Sequence, residues 1–231
     1  MSSKRIGRRE AIGVMGAASA ALAFGCGGSP TEPDSGTSTT TSPGSTNSAC
    51  AVTPGETAGP FPSLTDFFRS DIREGKTGTQ LTLTIKVVNT NASCAAVPNA
   101  NVEIWHVDAA GNYSQYGTQS TQTFLRGIQT TNSNGEVTFT TIYPGWYQGR
   151  ATHIHAEVTI NGVSRKVTQV AFPEAVNNTV HTSGAYSSRG TNPMSNASDM
   201  IFADSLSSEL VTPTGNTASG YSASFQIAIG L

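Results

Sequence analysis

The sequence predicts an all-β fold, a mainly antiparallel β-sandwich with long loops and little helix. Three observations carry this expectation. Apolar and polar residues alternate over at least six segments, Asn-Gly and Ser-Gly pairs punctuate them, and only 12% of the residues are charged, in a chain rich in Gly, Thr, Ser and Asn. Side chains two apart on a strand share a face. Leu81, Leu83, Ile85 and Val87 form the first such face. Val102, Ile104 and His106 alternate with Glu103, Trp105 and Val107, and Val137 and Phe139 mark the strand at 136–142. Ile154, Ala156, Val158 and Ile160 share one face, and 167–172 and 223–229 supply two more strands. A short helix is expected within 64–74. The stretch 175–204 lacks periodicity and is expected to be a long loop region, the kind that often carries function.

The start of the chain carries an address. Lys4, Arg5, Arg8 and Arg9 precede an apolar run from 11 to 24, so residues 1–25 are expected to be an export signal. The run is shorter than the ~20 residues of a membrane span, and the Arg8-Arg9 pair suggests twin-arginine export. Of three cysteines, Cys26 follows the apolar run directly and is a candidate for lipidation, which would anchor the protein to a membrane. Cleavage after Ala23 is the alternative. Cys50 and Cys94 then remain as an even pair, read as a disulfide in an oxidising compartment. Residues 26–49 are expected to be a flexible tether, since 27–48 contain no aliphatic or aromatic residue to offset the entropy of ordering. Residues 50–231 are expected to form one domain. Cleavage before Cys26 removes four basic residues and Glu10, so 13 basic and 15 acidic residues become 9 and 14, and the charge moves from −2 to −5. No basic patch stands out, which argues against a nucleic-acid partner.

The chemistry concentrates between Tyr143 and His155. His153 and His155 lie on one face of a strand, side by side as a metal requires. Tyr147 precedes them after a Pro-Gly turn, with Arg150 between, and Tyr113 sits in the turn that leaves the preceding β segment. Two tyrosinates and two imidazoles make a hard, anionic donor set that suits Fe(III) better than Zn(II) or Cu(I). An ordinary phenol ionises near ~10, and a trivalent cation would lower that value.

Several separate segments resemble the intradiol ring-cleavage dioxygenases. They are Thr53-Pro54 through Gly59-Pro60-Phe61, Ser70-Asp71-Ile72-Arg73-Glu74, and Val102 through Trp105-His106 to Tyr113 and Tyr116. Phe124-Leu125-Arg126-Gly127, Thr141 through Tyr147, Arg150 through His155, and Thr168-Gln169 through Phe172 follow. The chain is similar to the protocatechuate 3,4-dioxygenase-like branch, in a secreted form. The resemblance implies a non-haem Fe(III) held by Tyr113, Tyr147, His153 and His155. It implies Arg150 and Gln169 as catalytic-pocket residues, with Tyr147 leaving the metal to take a substrate proton. It further implies a catechol-type diol and O2 as substrates and a muconate-type dicarboxylate as product.

Other residues are read as structural. Tyr116 and Tyr143 are expected to pack, His106 to be a hydrogen-bonded core histidine, and Trp105 and Trp146 to be core or pocket wall. Arg126 is placed either in the pocket or bracing a turn, and His181 falls in the long loop. A non-catalytic β-sandwich that binds metal or aromatic ligands is the competing reading, as is a Cu(II) or Zn(II) centre. Retention of all four presumed ligands speaks against the first. The two tyrosines speak against the second, since zinc draws on His, Cys or carboxylate.

Overall fold

A computed structural model of the chain describes residues 50–231. The expected export signal, the tether and Cys26 lie outside the described residues. Nine strands form: β1 (Gln80–Asn89), β2 (Ala95–Ala96), β3 (Asn101–Trp105), β4 (Arg126–Thr130), β5 (Glu136–Ile142), β6 (His153–Ile160), β7 (Val163–Ala171), β8 (Thr214–Asn216) and β9 (Gly220–Ile229). Two short helices, α1 (Glu174–His181) and α2 (Leu206–Glu209), lie between β7 and β8.

The strands make two sheets. In the first, β1 pairs antiparallel with β2 and β5 and parallel with β9, which carries β8 at its far edge. The second is wholly antiparallel in the order β4-β3-β6-β7. The all-β sandwich is as expected, and the parallel β1–β9 pair is its one departure from antiparallel order. Alternation explains how the sheets close on each other. Leu81, Leu83, Ile85 and Val87 of β1 meet Phe139 of β5 and Ile227 of β9 in one buried cluster. Ile104 of β3, and Ile154, Ala156 and Val158 of β6, join the same cluster from the second sheet. Burial of these side chains, at roughly 1.5–3 kcal/mol each, supplies most of the driving force.

Two expectations for irregular regions are corrected. No helix forms within 64–74. That stretch runs along the edges of β4 and β5: Ile128 N–H donates to Phe67 O at 2.7 Å, and Thr140 N–H to Ser70 O at 2.9 Å. Arg69 and Ile72 return bonds to Ile128 O and Thr140 O. Cross-chain partners thus take the groups a helix would have paired internally. Conversely, α1 lies inside the stretch read as a loop. It follows Pro173 and buries Asn177, Val180 and His181. Eight residues are too few for the sequence period to stand out.

Because Ile154 points into the core, His153 and His155 point to the opposite face of the second sheet, with Trp105 and Glu103 of β3. Glu103 stands opposite Glu157 there. Burial raises its carboxyl from 4.5 to about 7, with repulsion from Glu157 and Asp66 adding to the effect and a Ser63 hydrogen bond opposing it. The folded protein therefore holds this proton more tightly than the unfolded chain, and Glu103 ionisation lowers stability as pH rises from 4.5 to about 7. Glu103→Gln should remove up to about 3 kcal/mol of that loss. Urea midpoints of wild type and variant at pH 4 and pH 8 check this. The variant should be the more stable at pH 8 only, and equal differences at both pH values would refute it.

Candidate metal centre and catalytic pocket

Two connections and one strand start build the site. His153 and His155 open β6. Tyr147 lies midway along the β5–β6 connection, and Tyr113 lies in the β3–β4 connection. Asp108 shapes the latter turn, accepting from the N–H groups of Ala110 at 3.0 Å and Asn112 at 2.9 Å. The two connections touch at Gly145, where a Cβ would run into the carbonyls of Asp108 and Ala109. Only glycine permits that approach, which brings the Tyr113 and Tyr147 ring centroids to 5.9 Å. Arg126, wholly buried, braces the Tyr113 loop: it donates to Ser114 O at 2.8 Å, Ser114 Oγ at 2.9 Å and Phe61 O at 3.0 Å. It is a brace, not a pocket residue.

The four sequence-predicted donors converge. His153 Nδ1 donates to Ala151 O at 2.7 Å, which leaves Nε2 of the neutral ring as a bare acceptor. That Nε2 lies 3.1 Å from His155 Nε2 and 3.4 Å from the Tyr113 hydroxyl. Trp105 stacks on the His155 ring at 4.9 Å and 2°, fixing its plane, and Phe61 stacks on Tyr113 at 4.8 Å. Gly59, at φ 66°, lies so close to His155 that a Cβ would sit 3.2 Å from Cε1.

Burial sets the protonation states. It lowers His153 to about 4, helped by Arg150, and holds His155 well below the ordinary imidazole range, helped by the neighbouring His153. Burial pushes the Tyr113 phenol above its ordinary value. Tyr113 is almost fully buried, whereas Tyr147 is partly exposed at the pocket mouth. Among the described residues no group of three or more His, Cys, Asp or Glu side chains could hold a metal ion.

A cavity of about 610 Å³ opens beside these donors. Arg150 lines it, and the buried Gln169 lies behind Arg150. Arg150 donates from Nη2 to Gln169 Oε1 at 2.7 Å and from Nε to Asp199 Oδ2 at 2.8 Å. Gln169 in turn donates to Thr57 O at 2.9 Å. Asp199 also accepts from Ala151 N–H at 2.7 Å, locking the residues just before His153. Sequence reasoning missed Asp199: it lies 49 residues from Arg150, in an irregular stretch with no local signal. His106 is buried in the core, bonded to Val107 O and Thr141 Oγ1. His181 meets Pro144 O and Tyr143 bonds to Asn177, away from the cavity, while Tyr116 bonds to Pro62 O and packs on Phe61 behind Tyr113 and does not line it.

A family model described as Dioxygenase (Dioxygenase_C) matches residues 62–189, more than half of the 231-residue chain. Among solved structures, an intradiol ring-cleavage dioxygenase from Tetranychus urticae is 29% identical, with a TM-score of 0.74 over 78% of this chain and 95% of that one. The dioxygenase domain of a dioxygenase carbohydrate-binding protein fusion from the cellulolytic bacterium Streptomyces sp. SirexAA-E shares the fold at 24% identity and TM-score 0.61, over 78% and 99% of the two chains. The 3-chlorocatechol 1,2-dioxygenase of Rhodococcus opacus 1CP shares it at 21% and 0.58, over 77% and 72%. No curated protein matches the chain in sequence. The family match, on a sandwich that gathers two tyrosines and two histidines at one pocket, shows that this chain belongs to the intradiol ring-cleaving dioxygenases.

Proposed function

We propose that Tyr113, Tyr147, His153 and His155 hold a non-haem Fe(III), and that the protein cleaves catechol-type rings with O2 to muconate-type dicarboxylates outside the cytoplasm. One observation carries the metal assignment: the Nε2 atoms of His153 and His155 and the Tyr113 hydroxyl face one another within 3.4 Å in a buried site. With its Nδ1 proton committed to Ala151 O, His153 turns the Nε2 lone pair toward both neighbours, and a cation placed there would gain all three atoms as donors. A hard, two-phenolate set matches a trivalent ion.

Bound Fe(III) supplies Lewis acidity toward the diol and accepts the electron density that makes the ring reactive toward O2. The chain supplies the rest. Tyr147, partly exposed at the mouth, would take one diol proton on its phenolate oxygen and so become a neutral phenol. Arg150 is held toward the cavity by Asp199 and Gln169, where its guanidinium stabilises negative charge developing on the ring. Phe61 and Trp105 keep water from the inner ligands.

The test is the visible spectrum and iron content of the purified protein, then catechol added under air. About one iron per chain, a tyrosinate-to-iron band and a muconate-type absorbance are expected. Tyr147→Phe should weaken the band and slow turnover by about 100-fold. A colourless protein that stays iron-free after reconstitution would overturn the reading, and an unchanged spectrum and rate in the variant would remove Tyr147 from it.

A further inference from the structure

We infer that the pocket selects catechols whose ring substituent is uncharged and apolar, and discriminates against rings that carry a carboxylate. This rests on the proposed function and names the substrate class for the same site. Beyond the donor side the cavity wall is mainly apolar, with Pro60, Phe61, Met194, Met200 and Ile201 beside the polar Ser198 and Asp199. These surround the space that a ring substituent must enter once the diol faces the donors. At about 610 Å³ the cavity exceeds the ~300 Å³ lower bound for ligand sites, so there is room for a substituent beyond the ring.

Charge decides the sign. Arg150 is the one cationic side chain lining the cavity among the described residues, and it is already committed to Asp199 and Gln169. With Arg150 directed at the reacting ring, a ring carboxylate would find no second cation in the lining. It would instead meet an acidic surround: Asp199 in the wall, and Glu56 on the arm beside Thr57, itself within electrostatic reach of Asp199 and Asp204. In the lining itself Arg150 and Asp199 pair off, so no cation is left over for a substituent, and Glu56 adds negative charge beside the wall. An anionic substituent would also lose water against Met194 and Ile201, with few polar groups in the lining to offset the loss, which is costly. A neutral alkyl or aryl group gains from the same burial. Met200, 88% exposed, and the flexible thioether of Met194 let the wall adapt to substituents of different shape.

The experiment compares 4-tert-butylcatechol with 3,4-dihydroxybenzoate on the iron-loaded full-length protein. Anaerobic binding is measured by calorimetry and turnover separately in air. The neutral diol should bind at least tenfold more tightly and show the lower KM. Raising ionic strength should narrow the gap, because it screens the repulsion. Ile201→Lys and Glu56→Gln should each lower the neutral-to-carboxylate affinity ratio at least threefold, Ile201→Lys the more. Equal binding of the two diols, or tighter binding of the carboxylate, overturns the inference and leaves the ring-cleavage reading standing. A tenfold preference that neither salt nor either variant alters overturns it as well, since shape alone would then discriminate. If neither diol binds nor is consumed, the proposed function fails and the inference fails with it.

Discussion

His153→Ala is expected to leave a folded protein that no longer retains iron. The Nε2 atom it removes stands at the meeting point of the site, 3.1 Å from His155 Nε2 and 3.4 Å from the Tyr113 hydroxyl. Loss of a residue that merely supports a ligand costs metal sites about 10–100-fold in affinity. Loss of the ligand itself should therefore exceed about 100-fold, and turnover should fall with iron content. The fold should survive, because the ring is outside the main hydrophobic cluster and its one bond to the backbone is Nδ1 to Ala151 O. A penalty of about 1–3 kcal/mol is in line with truncating a buried side chain. Iron per chain after desalting, read beside far-UV circular dichroism, separates the outcomes. Full iron retention would remove His153 from the ligand set. His106 gives the contrast: its ring is tied to Val107 O and Thr141 Oγ1 in the core, so an alanine there should cost stability and leave iron in place.

That contrast between two buried histidines shows what the sequence discloses and what it hides. The strand period assigns His106 to the same face as Val102 and Ile104, and His153 and His155 to the face opposite Ile154. A period of two is a local property, so it survives without any knowledge of the fold. The same holds for the pairing of Tyr113 and Tyr147 with the histidines, once their segments are matched to the family. The arm from Thr53 to Phe61 was legible as a segment but not as a wall, because Phe61 reaches Tyr113 across more than fifty residues of chain. Asp199 was hidden for the same reason. A buried carboxylate in an irregular stretch has no periodicity, and only its bonds to Arg150 and Ala151 give it a role. The stretch 64–74 misled because its spacing suits a helix, while its backbone groups found better partners on the edges of β4 and β5.

The second large effect concerns stability. Cys50 and Cys94 form a disulfide across 44 residues of sequence, with Cα atoms 5.6 Å apart, and join the start of the arm to the turn after β1. Closing a loop of that length in the unfolded chain is worth about 4 kcal/mol in the chain-entropy model. Against a total of roughly 5–15 kcal/mol for a domain, this is a large share. The double variant Cys50→Ser, Cys94→Ser should therefore show a urea midpoint lowered by that amount, measured without reductant. Its effect on the pocket should be small at 25 °C. Between the disulfide and the site the arm is held by its own bonds: Thr53 N–H to Ala228 O at 2.9 Å, Lys166 Nζ to Thr53 O at 2.7 Å and Glu56 N–H to Val167 O at 2.8 Å. Gln169 then grips Thr57 O, and Arg126 grips Phe61 O. Those contacts lie nearer the ligands than the disulfide does and are untouched by the substitutions, so KM for a catechol should stay near the wild-type value while the midpoint falls. If KM rose with the loss of the disulfide at a temperature where the variant is fully folded, the cross-link would be positioning the Phe61 wall rather than only restraining the unfolded chain.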